Sequence, residues 1–310
     1  MEIRDRFRGC LFGLACGDAT ATTVEFLPRG TFPPVTDMVG GGPFNLNRGE
    51  WTDDTSMALC MAASLTELGK FDPTDIMNRF CRWMDDGYLS SNGRCFDIGS
   101  TVHDALTRFQ RTGDPYSGSG DPRSAANGCL MRLAPIPMFF HHNRDAAIEY
   151  AALSSCLTHA AVECIDASRL FAAMLHQALS GADKETILDG HGLLDIDSAG
   201  VQAIADRAYR TKSVDQIRGS GYVVESLEAA LWCFDNTASF EDAILLAANL
   251  GDDADTTAAI TGEIAGAFYG ESGIPKHWRK HLVMAGQIRR LADQLYEYGR
   301  SSGQSAKGGN

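Results

Sequence analysis

Gly251-Asp252-Asp253-Ala254-Asp255-Thr256-Thr257-Ala258-Ala259-Ile260-Thr261-Gly262-Glu263-Ile264-Ala265-Gly266-Ala267-Phe268-Tyr269-Gly270 is the stretch on which the fold turns. Ala258, Gly262, Gly266 and Gly270 recur at every fourth position, so on a helix over 254–270 they form one stripe of minimal side chains. A glycine inside a helix costs about 1 kcal/mol relative to alanine, so its repetition signals a packing requirement. The spacing therefore predicts a helix that a second helix approaches closely. Three aspartates and a threonine stand at its head.

Outward from this segment the chain reads as helix after helix. Apolar spacing predicts helices over 3–17, 53–69, 73–86, 97–112, 145–155, 160–180, 197–211, 222–235, 240–250 and 278–298. Thr52 or Asp53 suits the cap of the second. A glycine- and proline-rich loop runs from Arg29 to Gly49 and includes Gly40-Gly41-Gly42-Pro43; so long a loop is usually functional. Sustained period-two runs with β-branched enrichment are missing, as is a strand-glycine-helix phosphate motif. The expected class is all-α, with one domain over 1–300 and a flexible tail over 301–310.

The 310 residues include 40 acidic and 27 basic side chains, a formal net charge of -13. That balance argues against nucleic-acid or anionic-membrane partners, which need a cationic surface. No stretch is long and apolar enough to span a membrane, and no apolar run of a signal peptide follows Met1-Glu2-Ile3-Arg4-Asp5-Arg6. The nine cysteines make no Cys-x-x-Cys pair, and several lie in apolar helical patterns, as in Met57-Ala58-Leu59-Cys60-Met61. Buried reduced thiols and a cytoplasmic location are expected.

Two acidic motifs carry the chemistry, Trp51-Thr52-Asp53-Asp54-Thr55 and Gly251-Asp252-Asp253-Ala254-Asp255-Thr256. Taken singly, each reads equally well as a helix cap, since acids complement the N-terminal dipole. If the two meet in space, four or more carboxylates converge, and like charges so close require protons or cations. Carboxylate and hydroxyl oxygens suit Mg²⁺, Ca²⁺ or Mn²⁺ rather than Zn²⁺.

The ordered motifs resemble those of the ADP-ribosylglycohydrolases, over roughly Ile3 to Tyr298. The resemblance rests on Arg8-Gly9-Cys10-Leu11-Phe12-Gly13-Leu14-Ala15-Cys16-Gly17-Asp18-Ala19, on Val24-Glu25-Phe26 and on the two acidic motifs. It rests also on Phe96-Asp97-Ile98-Gly99 and Ala126-Asn127-Gly128-Cys129-Leu130-Met131-Arg132. It implies a compact orthogonal multi-helix bundle holding two divalent cations, Mg²⁺ or Mn²⁺. Carried over by motif, Thr52, Asp53, Asp54, Asp253, Asp255 and Thr256 would be the metal ligands, with Asp252 outside the set. Glu25, Asp54 and Asp97 would serve catalysis, Glu25 as ligand or water-orienting carboxylate and Asp97 facing the ribose or the scissile bond. Gly99, Ser124, Asn127 and Gly128 would line the substrate pocket, with His159 near it and Tyr222 either stacking on adenine or serving as an ordinary half-buried tyrosine. The diphosphate would rest on backbone N–H groups of Gly41 and Gly42 or of Asn127 and Gly128. Where many members have Gly-Asp-Ala-x-Gly, this chain has Gly17-Asp18-Ala19-Thr20-Ala21. Alanine resists a positive φ, so the turn that holds Glu25 is expected to differ.

The implied reaction hydrolyses the glycosidic bond between ADP-ribose and a protein side chain, N-linked arginine favoured, releasing free ADP-ribose. The rival reading is a catalytically reduced protein that binds ADP-ribose or, as an immunity factor, an ADP-ribosyltransferase. A two-metal phosphoesterase leaves the Asn127-Gly128 and Phe96-Asp97 segments without a role. His141-His142 reads as a solvated loop pair, and Trp51 as a core anchor.

Overall fold

The structure is a computed structural model and describes residues 1–189 and 194–301. Its helices are α1 (Ile3–Ala21), α2 (Asp53–Leu68), α3 (Pro73–Asp86), α4 (Ser100–Thr112), α5 (Pro135–Phe139), α6 (Arg144–Cys156) and α7 (Val162–Ser180). They continue with α8 (Lys184–Leu188), α9 (Ala199–Ala205), α10 (Val223–Asp235), α11 (Phe240–Ala248), α12 (Ala254–Gly273), α13 (Lys276–His281) and α14 (Ala285–Ser301). Among the described residues no strand forms, and only isolated bridges such as Ala126 with Tyr222 link loops. The class is all-α. The last nine positions of the expected tail, 302–310, lie outside the described residues, and the tail's first residue, Ser301, closes α14.

The glycine stripe of α12 packs against α1. A Cβ on Gly262 would stand 2.1 Å from the Gly13 carbonyl oxygen, and one on Gly266 2.0 Å from that of Gly9. The converse holds for Gly9, Gly13 and Gly17, whose Cβ atoms would meet the carbonyls of Gly266, Gly262 and Ala258 at 2.1 Å each. Two glycine ridges thus bring the backbones together, and α7, α10 and α11 close around α12 while α14 covers α1. Phe12, Phe171, Phe234 and Trp278 are wholly buried in the surrounding core.

Four element boundaries differ from the periodicity, one for a tertiary reason and three for local ones. The expected helix over 278–298 breaks between α13 and α14, where Met284 has φ 55 and Val283 N–H donates to Gly49 O at 2.9 Å. That break also receives the buried Trp51, whose Nε1 donates to Val283 O at 3.2 Å. The helix expected from 97 starts at Ser100 because Asp97 is left-handed, φ 59. The run 197–211 stops at Ala205, with Arg207 left-handed at φ 61. Gly270 interrupts α12 at φ 74. His141 is half-buried rather than solvated: it stacks on His176 with ring centroids 5.2 Å apart and bonds Ser180 Oγ at 3.2 Å.

Candidate active site

The seam between α1 and α12 leads the two acidic motifs to one point. Thr52 and Asp253 occupy the N-caps of α2 and α12, and neither side chain caps its own helix. Asp18 of α1 does that work for α2. Its Oδ1 accepts from Thr52 N–H at 2.9 Å, and its Oδ2 accepts from Thr55 N–H at 3.1 Å and Thr55 Oγ1 at 2.6 Å. With the helix end satisfied from outside, the side chains of Thr52, Asp53 and Asp54 are free for other partners. Thr52 therefore does not cap its own helix, while Asp53 and Asp54 stand in the first turn of α2.

Thr52 Oγ1 lies 3.0 Å from Asp18 Oδ1, 3.1 Å from Asp54 Oδ2 and 3.1 Å from Asp255 Oδ2. A hydroxyl has one hydrogen and can satisfy one of the three. Thr256 Oγ1 adds a long contact to Asp54 Oδ2 at 3.5 Å. Asp54 Oδ1, Asp255 Oδ1 and Glu25 Oε2 are buried without a hydrogen-bond partner. One oxygen each from Glu25, Asp97 and Asp255 falls within 4.8 Å of the others. Buried carboxylates this close, short of donors and aided by two helix N-termini, form an all-oxygen donor set that fits a hard divalent cation.

The electrostatics agree. Burial, then the charges of neighbouring acids, pushes Glu25 up to about 11. Burial likewise lifts Asp97 to about 7, with Asp18 and Asp253 adding to the shift. Asp53, Asp54 and Asp255 are raised by burial and then by each other's surroundings of negative charge. Asp253 is raised by burial but held back by Asn127, whose Nδ2 donates to Asp253 Oδ2 at 2.7 Å. Asp18 rises only to about 6, because four donors from Thr52 and Thr55 offset its burial. Every member of the cluster thus favours a counter-charge, in the form of protons or cations.

Glu25 enters on the turn after α1. Ala21 stays helical at φ −92, and the left-handed residue is Phe26, φ 64, five positions on. Glu25 reaches the cluster with alanine at position 21. Two backbone bonds clamp it: Phe26 N–H to Asp252 O at 2.8 Å and Asp252 N–H to Leu27 O at 2.9 Å. Asp252 spends its backbone on that clamp while its side chain is exposed.

A cavity of about 300 Å³ opens over the cluster. Its lining joins the acidic Glu25, Asp53, Asp97 and Asp253 to Phe26, Gly99, Asn127, Gly128, Met131, His159, Gly221 and Thr256. Gly128 lies against the His159 ring, where a Cβ would stand 2.9 Å from Cε1. Ser124, Tyr222, Gly41 and Gly42 are not among the lining residues. Ser124 Oγ donates to Asp121 O at 2.7 Å, and the Tyr222 hydroxyl to Glu163 Oε1 at 2.7 Å. Gly41 N–H donates to Leu46 O at 2.8 Å, and a Cβ on Gly42 would meet Thr22 O at 2.1 Å, so the glycines of this loop serve a tight turn.

Sequence reasoning gave Asp18 and Arg132 no role of their own. Asp18 is wholly buried, and an acid on the apolar, glycine-lined face of α1 was its signal. Arg132, 1% exposed, donates to Thr158 Oγ1 at 2.6 Å, which lies 2.7 Å from His159 Nδ1. The Thr158 hydroxyl accepts from Arg132, and His159 Nδ1 is the acceptor within reach of its hydrogen, an arrangement that puts the ring proton on Nε2. Burial, reinforced by the Arg132 charge, lowers His159 to about 3. The pocket thereby gains a neutral donor in one tautomer.

Comparison with known proteins follows the same lines. The family model described as ADP-ribosylglycohydrolase matches residues 1–305. An ADP-ribosylarginine hydrolase of Pseudomonas putida is 48% identical over 300 residues, covering 94% of this chain and 78% of that one. Its counterpart in Serratia proteamaculans is 45% identical over 296 residues, 95% and 80% of the two chains. The ADP-ribosyl-[dinitrogen reductase] glycohydrolase of Rhodospirillum rubrum is 30% identical over 311 residues, 95% and 96% of the two chains. A solved structure described as an ADP-ribosylglycohydrolase-related protein complex superposes with a TM-score of 0.86 at 39% identity, covering 96% of this chain and 99% of that one.

Proposed function

This chain belongs to the ADP-ribosylglycohydrolase family, and on that premise we propose that it hydrolyses the N-glycosidic bond between ADP-ribose and a modified arginine side chain. Free ADP-ribose and unmodified arginine are the products. The arginine linkage is supported by the names of the two relatives at 48% and 45% identity. The nine cysteines, all free, support a cytoplasmic setting.

The observation that carries the reading is the cluster of buried carboxylate oxygens without donors. Thr52, Asp53, Asp54, Asp253, Asp255 and Thr256 would hold two divalent cations, Mg²⁺ or Mn²⁺, and Glu25 and Asp97 lie beside Asp255. When bound, such cations supply orientation of the ribose hydroxyls and a lowered pKa for water. The protein's own groups do the rest. Asn127 holds Asp253 in place. Glu25 and Asp97 line the same cavity, which supports the reading that one of them moves the proton at the scissile bond. The Nε2–H of His159 and the close backbone at Gly128 offer donors to the remainder of ADP-ribose.

The test is release of free ADP-ribose from an ADP-ribosylated arginine peptide in Mg²⁺ or Mn²⁺. Turnover is expected with either ion and none in chelator. A protein that binds the cation yet releases nothing from any linkage refutes the enzyme reading and leaves the binding-protein alternative.

A further inference from the structure

We propose that Phe26 is the platform on which the leaving guanidinium group stacks, and so helps set the linkage that is cleaved; the inference rests on the arginine reading above. Phe26 breaks two rules of folding at once. It is a bulky residue in the left-handed region, φ 64, and it is 61% exposed. Neither feature helps the core, and strained, exposed positions of this kind gather at functional sites.

Its surroundings say what it is for. Phe26 directly follows Glu25 and lines the cavity, as do Asp53 and Asp97. It does not swing free: its N–H is bound to Asp252 O at 2.8 Å, and its ring meets Phe44 at 6.4 Å between centroids. Phe44 in turn packs on Phe96 at 5.2 Å, and Phe96 directly precedes Asp97. Phe26 is thus the cavity-lining member of a run of three rings. The leaving group of an arginine linkage is planar and cationic. Guanidinium planes stack on aromatic faces, and nearby carboxylates favour the positive charge. A serine leaving group carries no such cation and gains nothing from the ring.

Steady-state kinetics of Phe26→Ala, Phe26→Leu and Phe26→Tyr on an ADP-ribosylated arginine peptide, with inhibition by free ADP-ribose measured alongside, test the assignment. KM should rise about 3- to 30-fold in the alanine and leucine variants and stay within about twofold in the tyrosine variant, which keeps the ring. The inhibition constant of ADP-ribose should be unchanged in all three, since the product lacks the guanidinium. An unchanged KM in Phe26→Ala overturns the proposal, as does a leucine variant equal to wild type, which would make the ring mere apolar cover. A parallel loss of ADP-ribose affinity overturns it too, by making Phe26 a nucleotide contact. Failure of the wild-type protein to cleave the arginine linkage is a separate result and strikes the function rather than the platform.

Discussion

The two ends of α12 obey opposite rules. From Ala258 to Gly266 the helix meets α1 backbone to backbone, with no room for one more methyl group. At Asp253, Asp255 and Thr256 the same helix gathers buried acids and leaves Asp255 Oδ1 without a partner. One end is optimised for the folded state and the other works against it. The two ends are linked through α1, which packs on the glycine stripe of α12 and carries Asp18 to the N-terminus of α2. Mutations at the two ends should therefore have opposite effects on the metal-free protein.

The largest effect is expected at the seam. Gly266→Ala would place a Cβ 2.0 Å from Gly9 O, so the helices must separate along their length. We expect a loss of about 3 kcal/mol or more in urea unfolding, with cation affinity falling as the cluster spreads. Gly286→Ala in α14, where a Cβ meets nothing within 4 Å, is the control; it should stabilise by about 0.5 kcal/mol. Equal behaviour of the two variants would remove the seam from the account.

At the other end the sign reverses. Asp255→Asn removes one charge from a buried set of like charges, so the metal-free protein should gain about 1–2 kcal/mol. Turnover and the stabilisation by added Mg²⁺ or Mn²⁺ should vanish together. Asp54→Asn should behave likewise. A metal-free protein weakened by Asp255→Asn would make that carboxylate structural.

The acids also give the metal-free protein a pH dependence. Asp97 at about 7 and Asp18 at about 6 both stand above the ordinary value of 3.8. A raised carboxyl binds its proton more tightly in the folded state, so its stabilising contribution is full below about pH 4 and fades as pH climbs through 6 and 7. In chelator, the melting temperature should fall from pH 5 to pH 8. The gain from added cation should be larger at pH 8. A flat profile in chelator would mean that the carboxylates find other counter-charges.

Much of this contrast was legible in the sequence, for reasons that particular residues make plain. The four-residue glycine period of α12 and the two acidic motifs are local patterns, and the structure brings them where a close-packed helix would. The partner stripe Gly9, Gly13 and Gly17 has the same period yet hides inside an apolar helix. Helices α5 and α8, five residues each, are too short for periodicity to register. The break between α13 and α14 depends on a distant docking segment, Gly49 to Trp51, and no local signal marks it. The glycines of the 40–42 loop look like a phosphate cradle in sequence, but their freedom is spent on a turn that packs on Thr22. Asp18 escaped for a similar reason, since only the tertiary contact shows that it caps a helix other than its own.

The smallest expected effect lies around His159, where Thr158 links the ring to Arg132. Thr158 passes its hydroxyl hydrogen to His159 Nδ1 while accepting from Arg132. In wild type, nitrogen NMR should find the Nε2–H tautomer and no titration above pH 5. His159 lies at about 3, below its ordinary value of 6.5, so its share of stability is full above about pH 6.5 and is lost as pH falls. Thr158→Val removes the hydroxyl between the Arg132 donor and the Nδ1 acceptor and should cost about 1 kcal/mol. It should also release the tautomer and raise KM a few-fold with kcat little changed, whereas Thr158→Ser should keep all three properties. An Nδ1–H signal in the wild-type spectrum would break the chain that runs from Arg132 through Thr158 to His159, and with it the contrast between a neutral ring held in one tautomer here and the unpartnered carboxylates of the acid cluster.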